Sequence, residues 1–200
     1  MKFKKSELLI VFALKPESEG RPEKLGFKTL YTGVGKVNAA VSLLNYLHRA
    51  ENLNQTKWVL NLGSAGSQSM KKGSIVFGQK IMQHDMDVTP LGFDLGVTPF
   101  DDSPQLYESF EWGDSFKDFE KGFVLTGDRF VTQTLPWKSD AIDMEAFSLA
   151  KACHSLDLKF STVKYITDGA DDNSEKDWPA QVKKAALKFE ELLNSLDSSL

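Results

Sequence analysis

The chain has 200 residues, 41% hydrophobic and 26% charged, with a net charge of −4 at pH 7. These figures exclude disorder, allow a core that needs no disulfide or metal staple, and lack the basic excess of a nucleic-acid surface, so no nucleic-acid partner is expected. No apolar run reaches the roughly 20 residues of a membrane span, the short run Leu8–Leu14 lacks the small-residue cleavage site of a signal peptide, and the single cysteine, Cys153, suits a reducing compartment; the expectation is a cytoplasmic protein with no membrane partner.

Leu8–Leu14 has the length of a strand buried on both faces and ends at Lys15-Pro16-Glu17, where Pro16 opens a loop. A strand over 27–31 leads into Thr32-Gly33-Val34-Gly35-Lys36, after which Val37, Ala40, Val41, Leu44 and Leu47 recur at helical spacing. Trp58–Leu62 reads as a strand closed by a Gly63-Ser64-Ala65-Gly66 turn, and 74–83 as one strand kinked at Gly78. Residues 89–121 are rich in Pro, Gly, Asp and aromatics and read partly as loop. A short strand at 122–126 ends at Gly127-Asp128-Arg129-Phe130. Asp143 is placed to cap a helix carrying Met144, Phe147 and Ala150 on one face, with Cys153 packed in the core beside them. A strand over 160–167 stops at Asp168-Gly169, and a last helix aligns Val182, Ala185, Phe189, Leu192 and Leu196. Strands interleaved with helices predict an α/β layered fold with a mostly parallel sheet, as a single domain over 1–200.

In such sheets ligands collect at the carboxyl ends of strands. Four polar segments fall there: Glu17, Gly63–Gly66, Gly127–Phe130 and Asp168–Asp171. The turn at Gly33-Val34-Gly35-Lys36 is not a P-loop, which needs a longer glycine spacing and a following Ser or Thr where Val37 stands. It leaves helix-start amides free for an anion or a ribose oxygen. His84-Asp85-Met86-Asp87 lacks further His or Cys at ligand spacing, so no metal and no cofactor are expected. Ser64 is not framed as a hydrolase nucleophile elbow.

Six segments, taken in order, resemble the nucleoside phosphorylase and nucleosidase superfamily, and most closely the bacterial 5′-methylthioadenosine/S-adenosylhomocysteine nucleosidases. They are Thr32–Ala40, Asn61–Gly66, His84–Thr89, Thr126–Phe130, Asp143–Ala146 and Ile166–Asp171. The resemblance implies a three-layer αβα fold, with a central, mixed but mostly parallel twisted sheet flanked by helices. It also implies an N-glycosyl hydrolase that cleaves an adenine nucleoside to free base and sugar. Such a reaction needs an acid for the departing purine, an anion near the ribose hydroxyls as C1′ becomes cationic, and a carboxylate for water.

Carried onto this sequence, the resemblance makes Asp168 the acid toward purine N7, assisted by Thr167. Glu145 accepts from the 2′- and 3′-hydroxyls with Met144 against the sugar, and Glu17 holds the attacking water, with Ser64 alongside. Phe130 stacks on the base while the Val131 backbone reads its edge. Lys164 departs from the family pattern, which has arginine four residues before the aspartate. The rivals are a phosphate-dependent purine nucleoside phosphorylase, a futalosine hydrolase and a nucleoside-binding member without activity. A homodimer is expected beside the site: Trp178 belongs to a closing loop or an interface, and Leu91, Phe93, Leu95 and Phe100 need burial by a partner.

Overall fold

A computed structural model of the chain describes residues 4–170 and 174–197, apart from the side chains of 50, 113, 114, 174–180 and 197. The five apolar residues of β1 (Leu8–Phe12) are buried on both faces. Leu9 and Val11 turn to one core, and Leu8, Ile10 and Phe12 to another, as strand alternation requires. After a one-turn helix α1 (Arg21–Lys24) and β2 (Lys28–Tyr31) come α2 (Lys36–Leu47), α3 (Ala50–Gln55), β3 (Trp58–Gly66), β4 (Ile75–Gln83), β5 (Leu106–Glu108), β6 (Glu120–Thr126) and β7 (Ala141–Asp143). The chain continues through α4 (Ala146–Ser155), β8 (Lys159–Asp168) and α5 (Ser174–Asp197). Helices α2 and α4 supply Ala39, Leu43, Phe147 and Leu149 to the first core, and α5 supplies Ala185, Phe189, Leu192 and Leu196 to the second. The sheet is therefore the middle of three layers.

Strands β2, β1, β3 and β8 pair in parallel in that order, and β8 pairs antiparallel with β4. β4 pairs parallel with β6 and antiparallel with β5, and β6 pairs parallel with β7. β7 returns to β3 through an antiparallel contact between Ile142 and Gly66, so β3, β8, β4, β6 and β7 close on themselves. The sheet is mixed, with most of its pairings parallel, as expected.

The closure corrects several boundaries. Gly63–Gly66 is not a turn but the end of β3, hydrogen-bonded along β8. β1 stops at Phe12, short of Leu14, because the chain bends into a single 3-10 turn over Lys15–Glu17. β7 and β5 carry no sequence pattern of their own. β4 is one strand with a register shift between Gly78 and Lys80. A Cβ at Gly78 would lie 2.5 Å from Thr162 Cγ2 and 2.6 Å from Val124 Cγ2, so glycine lets the two neighbouring strands approach. Within 89–121, Phe110, Trp112, Phe116 and Phe119 pack on the α5 side of the sheet.

Candidate active site

The carboxyl ends of β1, β3, β6, β7 and β8 surround a cavity of about 200 Å³. Glu17, Ser64, Phe130, Val131, Met144, Glu145, Thr167 and Asp168 all line it, together with Leu14, Val34 and Arg129. Residues spread over 150 positions are thus brought together by sheet closure. The side chain of Trp178 lies outside the described residues.

Glu17 is 3% exposed and held from three directions. Its Oε1 accepts from the Ser64 amide and the Ser64 hydroxyl, each at 2.8 Å, and its Oε2 accepts from the Leu14 amide at 2.9 Å. The 3-10 turn swings the carboxylate back over β3, and Gly63 leaves it room: a Cβ there would lie 3.3 Å from Oε1.

Asp168 is fixed at the end of β8. Its Oδ2 accepts from Thr167 Oγ1 at 2.8 Å and its Oδ1 from the Ala170 amide at 3.0 Å. Ala170 adopts φ 48°, a left-handed conformation uncommon for alanine, to aim that amide. A Cβ on Gly66 would come within 2.7 Å of Asp168 Oδ1, so only glycine admits the carboxyl here.

Glu145 follows β7, and its Oε1 accepts from the Gly35 amide at 2.9 Å. The Lys36 amide donates to Asp128 Oδ1 at 2.6 Å. Two of the amides expected to be free for a ligand, those of Gly35 and Lys36, are therefore taken by the protein's own carboxylates. Burial first, and then the negative charge of Asp143, push the Glu145 carboxyl up to about 8.

α4 starts at Ala146 with Glu145 in the N-cap position, two residues later than expected, so Met144 precedes the helix instead of lying on its face. Asp143 still serves the helix start, its Oδ2 accepting from the Ala146 amide at 2.9 Å, and it does more. Its Oδ1 accepts from Thr126 Oγ1 at 2.6 Å, and its Oδ2 pairs with Lys164 Nζ at 2.7 Å. Lys164 also donates to Asn61 Oδ1 at 2.7 Å, which accepts from Thr162 Oγ1 at 2.8 Å. Sequence reading missed this network. Its signal was alternation: Asn61, Thr162 and Lys164 share a strand face with Val59, Phe160 and Ile166, and so point inward.

Phe130 is 51% exposed on the cavity rim, whereas Val131 packs behind it with Leu135, Ile142 and Ala170. An aromatic left half bare beside a cavity is a platform for a flat ligand. In the His84–Asp87 segment, Asp85 pairs with Lys36 and accepts from the Asp128 amide, and Asp87 accepts from Thr89. His84 packs over Gly127, whose Cβ would meet the imidazole Nε2 at 2.3 Å.

This fold, with three buried carboxyls converging at strand ends beside the half-exposed ring of Phe130, is that of a nucleoside-processing α/β protein. The family model of the phosphorylase superfamily matches residues 29–196, and the chain belongs to that superfamily. Among curated relatives, it is similar to the 5′-methylthioadenosine/S-adenosylhomocysteine nucleosidase of Anoxybacillus flavithermus, at 31% identity over 86% of this chain and 80% of the relative. A nucleosidase of the same name from Buchnera aphidicola is 30% identical over 88% of this chain and 81% of its own length. The solved nucleosidase of Neisseria meningitidis, in complex with methylthio-immucillin-A, superposes with a TM-score of 0.79 at 25% identity, covering 98% of this chain and 100% of that one. Futalosine hydrolase of Helicobacter pylori shares the fold with a TM-score of 0.85 at 21% identity, over 96% of this chain and 97% of that one.

Proposed function

We propose that this chain is a purine nucleosidase that hydrolyses the N-glycosidic bond of an adenine nucleoside of the 5′-methylthioadenosine/S-adenosylhomocysteine type. The observation that carries the reading is the placement of three buried carboxyls, Glu17, Glu145 and Asp168, around one cavity beside the exposed ring of Phe130. The named nucleosidases among its relatives support the substrate class.

In this mechanism the purine stacks on Phe130, and the protonated Asp168, oriented by Thr167, gives its proton to N7 as the bond from C1′ to N9 breaks. The pair of electrons leaves with the base, which departs neutral. Positive charge on the sugar is met by Glu145 through the ribose hydroxyls, with Met144 against the ring. A water held by Glu17 and Ser64 adds its oxygen to C1′ and loses a proton to Glu17. The sugar is released as a free hydroxyl compound.

Water is favoured over phosphate as the acceptor. The position facing Ser64 is occupied by the Glu17 carboxylate, which repels a phosphate dianion, and among the described residues Arg129 is the one arginine lining the cavity. Substitution of Asp168 by Asn tests the reading: D168N folds, and adenine release falls about 10²- to 10⁴-fold. Release at the wild-type rate would refute it.

The same reading includes a cytoplasmic homodimer. On α2, Val37, Val41 and Leu44 are 72%, 52% and 40% exposed along one stripe, and Leu91 and Phe100 are 73% and 95% exposed. Exposed apolar side chains along α2 and in the segment 91–100 suit burial against a second copy of the chain. Val34 is half-exposed while also lining the cavity, which places the apolar surface next to the site. No helix among the described residues is long and apolar enough to cross a membrane.

A further inference from the structure

Lysine is among the residues least often fully buried. Lys164 is 1% exposed in the middle of β8, and among the described residues it is the one Lys or Arg that is buried. It lies one layer behind the cavity lining. Its Nζ pairs with Asp143 Oδ2 and donates to Asn61 Oδ1, each at 2.7 Å. Asn61 is itself oriented, donating from Nδ2 to the Val11 carbonyl at 3.2 Å and accepting from Thr162. A Cβ on Gly63 would lie 3.6 Å from Lys164 Nζ and 3.3 Å from Glu17 Oε1, so both charged groups reach toward the same point over the β3 backbone.

The ammonium pairs with Asp143, acts on the charge of Glu145 and reaches toward the same point as Glu17. Glu17 comes from the turn after β1 and Asp143 and Glu145 from the β7–α4 junction, while Asp168, four residues further along β8, and the exposed Arg129 line the cavity in front. A buried ion pair adds little stability over a well-packed apolar pair of the same volume, because desolvation offsets the attraction. Its presence beneath the reacting groups calls for a role in their chemistry.

We propose that Lys164 is a positioning residue: its ammonium, fixed by Asp143 and Asn61, partly offsets the negative charge of Asp143, so that Glu145 becomes the carboxylate that meets the ribose hydroxyls at a lower pH than it would beside Asp143 alone. This rests on the reading of Glu145 as the ribose-facing group. Two charges act on Glu145 in opposite directions, with Asp143 favouring the protonated form and Lys164 the ionised one, and the Gly35 amide also favours the ionised form. A protonated Glu145 loses an acceptor site just where sugar hydroxyls must donate. Lys164 therefore controls the lowest pH at which the site is competent.

The test is the pH dependence of kcat/KM for base release from 5′-methylthioadenosine, which reports groups of the free enzyme. K164M moves the acidic limb to higher pH by at least about one unit, roughly a tenfold loss on the limb, with activity recovering toward alkaline pH. K164R retains the cation and keeps the wild-type limb. D143N leaves the ammonium unopposed and moves the limb to lower pH; it decides the matter alone if K164M does not fold. Profiles that keep the wild-type limb in both K164M and D143N, changing only in height, would overturn the proposal and leave the pair with a purely structural role. Absence of base release from the wild-type enzyme at every pH would instead overturn the functional reading beneath it.

Discussion

Glu145 should make the folded protein progressively less stable as pH rises from about 4.5 to about 8. In the unfolded chain its carboxyl ionises near the ordinary value of 4.5, but in the folded chain burial and Asp143 hold the proton until about 8. Below the lower value both states carry the proton and the group costs nothing. Between the two values the unfolded state binds fewer protons than the folded one, so unfolding becomes easier with each unit of pH. The full interval corresponds to an upper limit of about 5 kcal/mol at 1.36 kcal/mol per unit, reached when pH passes the folded value. E145Q removes the titration while keeping an acceptor for the Gly35 amide. Urea unfolding of both proteins at pH about 5 and about 8.5 should show the stability of wild type falling relative to E145Q by several kcal/mol. Parallel stabilities at the two pH values would refute the argument that Glu145 is held protonated in the unliganded site.

Two further outcomes follow from the geometry. G66A places a methyl group 2.7 Å from Asp168 Oδ1 and 3.1 Å from the Ala170 Cβ, so the acid must shift. Adenine release should fall about 10²-fold with the circular dichroism spectrum unchanged. F100D puts a charge on the most exposed apolar ring, 95% exposed, of the proposed dimer surface. Sedimentation should then show lower mass than wild type at micromolar concentration together with lower turnover; an active wild-type monomer would remove the dimer.

The strands were legible where burial on both faces leaves an unbroken apolar run, as in Leu8–Phe12. The existence of α2 was legible from its period but its facing was not: of the expected stripe only Leu47 is buried, Val37, Val41 and Leu44 face outward, and Ala39 and Leu43 pack into the core instead. The end of β3 was not legible. Gly63, Ser64 and Gly66 are residue types common in turns, yet the whole segment pairs along β8, and the absent side chains of Gly63 and Gly66 leave the space that Glu17 and Asp168 occupy. β7 is three residues long and exists by pairing with β6 and with Gly66, contacts that no local pattern encodes. Within the site, residues at strand ends could be collected by topology alone. The pair behind them could not, because a lysine in a strand ordinarily reads as solvent-facing, whereas β8 is buried on both faces and the phase of Lys164 with Phe160 and Ile166 only selects the core it enters. Asp143 was legible as a residue at the start of α4, whose first amide one of its oxygens accepts from while also holding Lys164, although the N-cap position belongs to Glu145.

Hydrolysis at a site where Glu17 reserves the acceptor position for water is tested most directly by identifying the sugar formed from 5′-methylthioadenosine in phosphate buffer. The predicted products are adenine and free 5-methylthioribose, at a rate that added phosphate does not raise. Formation of the sugar 1-phosphate, with a rate that climbs with phosphate concentration, would contradict the account.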